Sequence, residues 1–209
     1  MAVAARGRSF KSRPREPAAV AIEPEGSTDS PGGADDGRDD GVAAASRHDR
    51  LVRHPTPGPG NSLSGWPAIR SPWRVAVQYA VIVLARPCPS LRLKNWLFRR
   101  LGMTVERGAV WALESTPDVF WPNLITVGED AIVGYDATVL CHEFLQDEYR
   151  TGEVVIGPRA MIGAGAVVLP GVHVGAEASV GANSVVDRDV PAGATVVGVP
   201  AKPVERPAE

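Results

Sequence analysis

At 209 residues and a formal net charge of -2, the chain has room for one ordinary domain with a tail, or for two small domains, and it lacks a global field that would recruit nucleic acid or an anionic membrane. Apolar residues make up 44% of it and charged residues 22%, the balance of a soluble globular protein. Cys88 and Cys141 are the only cysteines, too few for a disulfide scaffold and without a CxxC spacing for a metal.

A reducing, cytoplasmic setting is therefore the expectation. The N-terminal arginines are not followed by an apolar core, so no signal peptide is expected. The longest apolar run, Val75 to Ala85, is interrupted by Gln78 and is too short to span a bilayer.

Residues 1–65 carry the composition of a disordered, low-complexity tail. Arg6, Arg8, Lys11, Arg13 and Arg15 form a basic start, followed by an acidic Gly-rich run with Asp29, Asp35, Asp36, Asp39 and Asp40. The tract closes on His-Pro-Thr-Pro-Gly-Pro-Gly-Asn at 54–61. So little apolar surface does not offset the entropy of ordering the chain. The segment reads as a solvated polyampholyte or a start codon placed too early, in preference to a basic arm for an acidic partner.

Residues 66–102 read as a helical segment. Trp73, Val77, Ala80, Val81 and Leu84 recur at spacings of three and four, and Pro87 and Pro89 end the run. A second helix is expected from Ser90, as N-cap, to Leu101, with Gly102 as its stop. Leu93, Trp96, Leu97 and Leu101 would form its apolar face; Arg92, Lys94, Arg99 and Arg100 would form its polar face. A basic amphipathic helix can lie on a membrane surface, but the reading adopted is that these helices cover the domain that follows.

That domain, 103–209, announces itself by an internal repeat. From Ile156 the chain reads IGPRAM, IGAGAV, VLPGVH, VGAEAS, VGANSV and VDRDVP, six units of six without a slip. First positions are Ile156, Ile162, Val168, Val174, Val180 and Val186; fifth positions are Ala160, Ala166, Val172, Ala178, Ser184 and Val190. VGEDAI from Val127 and VGYDAT from Val133 have the same form, and a third early unit begins at Val139. A period of six fits neither a helix nor a simple strand. It requires a short extended segment and a turn, repeated, with every first position pointing inward beside a small fifth residue. Glycine at the second position would free the backbone for the corner. Three units close a triangular coil, and coils pair at roughly 4.8 Å.

These units resemble the hexapeptide-repeat acyltransferases, which implies a mainly β fold: a left-handed parallel β-helix, preceded here by the helices and the tail. The likeness spans about 103–204, and Asp189-Val190-Pro191 with Val199-Pro200-Ala201-Lys202 is similar to the carboxyl end of the maltose and galactoside O-acetyltransferases. The resemblance implies an acetyl-CoA-dependent acetyltransferase acting on a sugar or similar small acceptor, no metal, and a homotrimer with sites between prisms.

The repeat is interrupted once, by an insertion over 142–154 that contains His142. Acetyl transfer to a hydroxyl needs that proton removed as the bond forms, and histidine suits the task. In the sugar enzymes a histidine just before such an insertion is the base, and His142 occupies the matching place. Glu143 is the nearest candidate to orient the imidazole, although neighbouring side chains on a strand point apart; a backbone carbonyl could serve instead. Cys141 reads as a small core residue. Glu114, Asp118, Tyr149 and Arg150 are candidate acceptor contacts, while no residue matches the sugar enzymes' acceptor-binding asparagine. For acetyl-CoA the resemblance implies Ala164, Gly165, Ala182 and Ser184 along the pantetheine arm, with Arg188 and Lys202 on the phosphates. A carbonic anhydrase-like metalloenzyme would need three converging histidines, and the prism has only His142 and His173. A non-catalytic β-helix scaffold is the other alternative.

Overall fold

The computed structural model describes residues 46–204. The basic start and the acidic run lie outside the described residues.

The hexapeptides fold as the period requires. Three parallel sheets form the faces of a prism. On the first face Val105, Val127, Ile156 and Val174 stand in register, extended by a bridge to Val190. On the second, Trp111, Val133, Ile162, Val180 and Val196 are aligned. On the third the row is Pro117, Val139, Val168 and Val186. Four complete coils result, closed by a short antiparallel strand at Lys202–Pro203. The first-position residues and the fifth-position Ala131, Ala137, Ala160, Ala166, Val172, Ala178 and Ser184 are all buried. A core this thin works because every coil lends its inward residues to the coils above and below.

The second-position glycines serve a different purpose from the one the sequence suggests. None of them has a positive φ; the left-handed conformation falls instead on fourth positions, among them Asp130, Asp136, Arg159, Glu177 and Asn183. A Cβ on Gly163 would lie 2.5 Å from the Ala182 backbone nitrogen, and one on Gly157 would lie 2.7 Å from that of Ala176. Glycine is needed here so that the next coil can stack.

The helices are Trp66–Ile69 (α1), Pro72–Ala85 (α2) and Leu91–Arg100 (α3). The Ser90 side chain accepts from the Leu93 N–H, as an N-cap should. Helices α2 and α3 cover the first coil: Ile82, Ala85 and Phe98 are buried in the prism core, with Phe98 edge-on to Trp111 at 5.1 Å between ring centres. The expected faces of α3 are largely exchanged. Lys94 and Asn95 are buried beside Phe98, while Leu93 and Trp96 are exposed. The cause is the open end of the prism, which presents carbonyl oxygens that need donors. Lys94 Nζ donates to the carbonyls of Ala112 at 2.5 Å and Arg86 at 3.3 Å, and lies 3.4 Å from Ser115 Oγ; Asn95 donates to the Ala109 carbonyl at 2.7 Å. Burial lowers the Lys94 pKa from its ordinary value. Among the described residues no helix is long and apolar enough to cross a membrane.

Residues 46–65 correct the expected tail boundary. Arg47–Arg50 form a 3-10 turn and Val52–Pro55 a strand that pairs antiparallel with Glu148–Thr151. That strand in turn pairs with His142–Phe144, so the insertion is a hairpin with a third strand laid along it. Composition favours disorder here only while the segment is considered alone; a sheet edge and a ready-made corner supply the missing partners.

The stacking argument has a direct check. Gly163→Ala should destabilise the protein by about 2 kcal/mol through overpacking, lowering the urea midpoint without changing the slope. At Gly193 (φ +70) an added Cβ meets nothing within 4 Å, so Gly193→Ala should cost only the left-handed strain, about 1 kcal/mol.

Candidate active site

The site forms where the third face turns into the first. Asp118 follows the third-face strand Thr116–Pro117 of the first coil, and His142 follows Thr138–Val139 of the second. Register places one coil on the other, so residues 24 apart in sequence meet. His142 Nδ1 lies 2.5 Å from Asp118 Oδ2. The same oxygen accepts the Cys141 N–H at 2.7 Å, and Oδ1 accepts the N–H groups of Phe120 and Trp121, both at 2.8 Å.

Asp118 is therefore a buried carboxylate surrounded by donors, with His142 within ion-pair distance. Because a carboxylate accepts and cannot donate, the proton of the neutral imidazole belongs on Nδ1 and the lone pair on Nε2. The ring is held by aromatic neighbours: Phe144 at 4.8 Å, Phe120 at 5.0 Å and Trp121 at 5.2 Å between centres. The Asp118-Val119-Phe120-Trp121 turn thus supplies the acceptor and two of the walls.

Glu143 does not orient His142. It faces Arg47 at 2.9 Å, with Arg150 at 3.9 Å, as the alternation of a strand demands. Arg47 also donates to the Pro170 carbonyl at 3.2 Å, and Arg50 pairs with Asp189 and donates to the Gly171 carbonyl at 2.9 Å. The ordered turn at 47–50 thereby fastens the hairpin to the coils beneath it. Asp118, expected as an acceptor contact, is instead the group that holds the imidazole. Tyr149 stacks on His54 at 4.5 Å and lies nearly parallel to Trp121 at 6.0 Å. Arg150 is paired with Glu148. Glu114 lies at a different corner, in a left-handed conformation and 3.1 Å from Arg86. Cys141 is buried, and burial pushes its thiol pKa up, so it is a core residue and not a nucleophile.

The residues expected along acetyl-CoA divide between corners. Ala164 and Ala182 lie between the second and third faces, stacked beneath Tyr135, and both are exposed. Gly165 has φ +67 and donates its N–H to the Tyr135 carbonyl at 2.8 Å. Ser184 is fully buried with its Oγ accepting the Gly198 N–H at 3.0 Å, so its side chain faces the core and not a ligand. Arg188 belongs to the His142 corner, two coils further along or about 10 Å at the usual coil spacing, and is paired with Asp187 at 3.1 Å. Lys202 is exposed on the final strand. Among the described residues no three His, Cys, Asp or Glu side chains converge on one point.

Phe120, Trp121, Arg47, Arg50 and His54 were not among the expected site residues. The aromatic pair two and three residues after Asp118 was the available signal; the other three lie in a segment whose composition concealed its order.

Comparison with known proteins agrees with this architecture. Residues 153–188 match the family model described as bacterial transferase hexapeptide (six repeats). Over 151 residues, 71% of this chain and 86% of the relative, the chain is 44% identical to YvoF of Bacillus subtilis (strain 168), assigned as an acetyltransferase. It is 36% identical over 121 residues, 57% of this chain and 75% of the relative, to SA0717 of Staphylococcus aureus (strain N315), which carries the same assignment. In structure it is similar to the hexapeptide-repeat acetyltransferase VCA0836 of Vibrio cholerae, with a TM-score of 0.52 at 20% identity, covering 70% of this chain and 94% of that one. A galactoside acetyltransferase in complex with coenzyme A gives 0.51 at 18% identity over 64% and 80%. The shared fold is the left-handed parallel β-helix.

Proposed function

This chain belongs to the hexapeptide-repeat acetyltransferases, and on that premise we propose that it transfers the acetyl group of acetyl-CoA to a hydroxyl of a small acceptor, a sugar or similar alcohol, with His142 as general base. The observation that carries the reading is the buried Asp118 carboxylate 2.5 Å from His142 Nδ1.

The chemistry follows from that pair. Nε2 takes the acceptor's hydroxyl proton as its oxygen attacks the thioester carbonyl. The C–O bond forms, the tetrahedral intermediate collapses with loss of the C–S bond, and the imidazolium returns its proton to the departing thiolate. Asp118 fixes the tautomer and offsets the positive charge that appears on the ring. No covalent enzyme intermediate is needed, because positioning makes the encounter effectively intramolecular.

The pantetheine arm is assigned to the exposed edge at Ala164 and Ala182, and Arg188 and Lys202 to the phosphates. His142 lies on a different edge of the same prism. A site using both edges draws them from two copies, which supports a homotrimer with one site at each junction.

Three outcomes are expected. Acceptor-dependent thiol release from acetyl-CoA, assayed over a panel of sugars and other alcohols, should fall about 10²- to 10⁴-fold in His142→Ala while acetyl-CoA still binds; undiminished release would remove His142 as the base. Asp118→Asn should lower kcat about 10²-fold, since one amide oxygen cannot satisfy donors on both sides of the group, whereas Glu143→Gln should change kcat less than about threefold. Finally, His142→Ala and Ala164→Trp subunits, each inactive alone, should regain about a quarter of wild-type activity when coexpressed in equal amounts, as random threefold mixing predicts. Complementation that fails although mixed oligomers form would place both edges' functions within one subunit.

A further inference from the structure

The side of α2 turned away from the prism is unusually apolar. Its exposed residues are Pro72, Trp73, Arg74, Ala76, Val77, Tyr79, Ala80, Val83 and Leu84, and only Arg74 is charged. Trp73 is 77% exposed and Leu84 74%. On α3, Leu91, Leu93 and Trp96 are also exposed. An apolar surface of this kind on a globular domain marks a contact.

Its charge indicates what it contacts. From Trp66 to Val105 the sequence carries six arginines, one lysine and no Asp or Glu, so the net charge of the whole chain conceals a strongly cationic stretch. Lys94 is used internally, as described, but Arg74, Arg92, Arg99 and Arg100 are exposed. Between α2 and the end of α3 lies an open groove of about 650 Å³ lined by Arg70, Trp73, Arg74, Val77, Arg100 and Asn123. Arg70 donates to Asn123 at 3.3 Å, and its guanidinium lies 4.9 Å from the centre of Trp121. Its Nε is buried without a hydrogen-bond partner. Arg100 lies 4.9 Å from the ring centre of Trp96. Guanidiniums interleaved with tryptophan, tyrosine and aliphatic side chains suit a phosphate layer over hydrocarbon.

A second copy of this surface fits poorly. A two-fold contact would set the same arginines against one another, with no carboxylate on either side to pair them. A protein partner would have to be both strongly acidic and apolar.

We propose that α2 and α3 dock this protein on an anionic lipid bilayer, with Trp73, Val77 and Leu84 entering the interface and Arg70, Arg74 and Arg100 receiving lipid phosphates. Helix α2, about 21 Å long, lies along the surface and does not cross it. This is independent of the acceptor and of the role given to His142.

Vesicle cosedimentation of the full chain tests the proposal. The chain should sediment with phosphatidylcholine vesicles containing about one-third phosphatidylglycerol, less so at high salt, and should stay in the supernatant with phosphatidylcholine alone. Arg74→Gln with Arg100→Gln should lower the partition coefficient about thirtyfold, at about 1 kcal/mol per cation. Trp73→Ser with Leu84→Ser should lower it at least tenfold. All four positions are on the surface, and unchanged thermal unfolding would show that the variants fold. Absence of sedimentation with the anionic vesicles overturns the proposal. So does sedimentation that both double variants leave intact, which would assign lipid binding to another part of the chain. Loss of oligomers in Trp73→Ser with Leu84→Ser, without vesicle binding by wild type, would assign the face to contact between copies.

Discussion

In-register stacking of the coils is the constraint on which the rest depends. Each coil is too thin to bury anything alone; Val133, Ile162 and Val180 are dry only because they lie directly over one another. The backbone hydrogen bonds between coils fix the spacing at roughly 4.8 Å, and that spacing excludes a Cβ at Gly157 and Gly163. The same register brings Asp118 of the first coil to Cys141 and His142 of the second. A shift by one residue would turn every inward side chain outward and would separate the pair. The fold and the geometry of the Asp118–His142 pair are thus enforced by the same ladder, so the candidate site needs little dedicated scaffolding.

What it does need is a wall on the solvent side, and the insertion supplies that. A hairpin leaving a corner of a solenoid would be marginal on its own. Here the strand Val52–Pro55 adds a third member, and Arg47 and Arg50 connect it to Glu143, Asp189 and the carbonyls at Pro170 and Gly171. Phe144 and Tyr149 are thereby held against Phe120 and Trp121 around the imidazole. The chain segment most distant from the repeat in character is one of those that keep the corner around His142 in shape.

The prism, the insertion and His142 were legible because a period of six constrains three positions at once, and a break in that period is conspicuous. The helix limits followed from Pro87, Ser90 and Gly102. The partner of His142 was less accessible. Asp118 and Glu143 are both acidic and both near in some sense, but one is adjacent in sequence and the other in space, and only the register decides between them. Lys94 escaped for a related reason. Helical periodicity sorts residues by polarity, whereas the end of a β-helix offers unpaired carbonyls to whatever covers it, so the side chain with the best donor goes inward. Residues 46–65 escaped because composition reports what a segment can bury by itself, and this one is ordered by another segment's edge.

The division of expected ligands between two edges bears on why such a protein should assemble. His142 and the Ala164–Ala182 ladder cannot face one small volume from adjacent corners of a closed prism whose interior is filled by valine and alanine. Moving either set within the chain would break the inward alternation that makes the core. In the proposed assembly a second prism alongside would solve the problem without altering any coil, one copy offering the histidine edge and the next the smooth one. In the trimer proposed above, three identical junctions would satisfy both edges of every copy and leave none open. On this view the small residues at Ala164 and Ala182 keep the junction open for the ligand: a bulkier side chain on that edge would fill the space between its own prism and the partner's imidazole while leaving the other junctions of the proposed trimer unchanged.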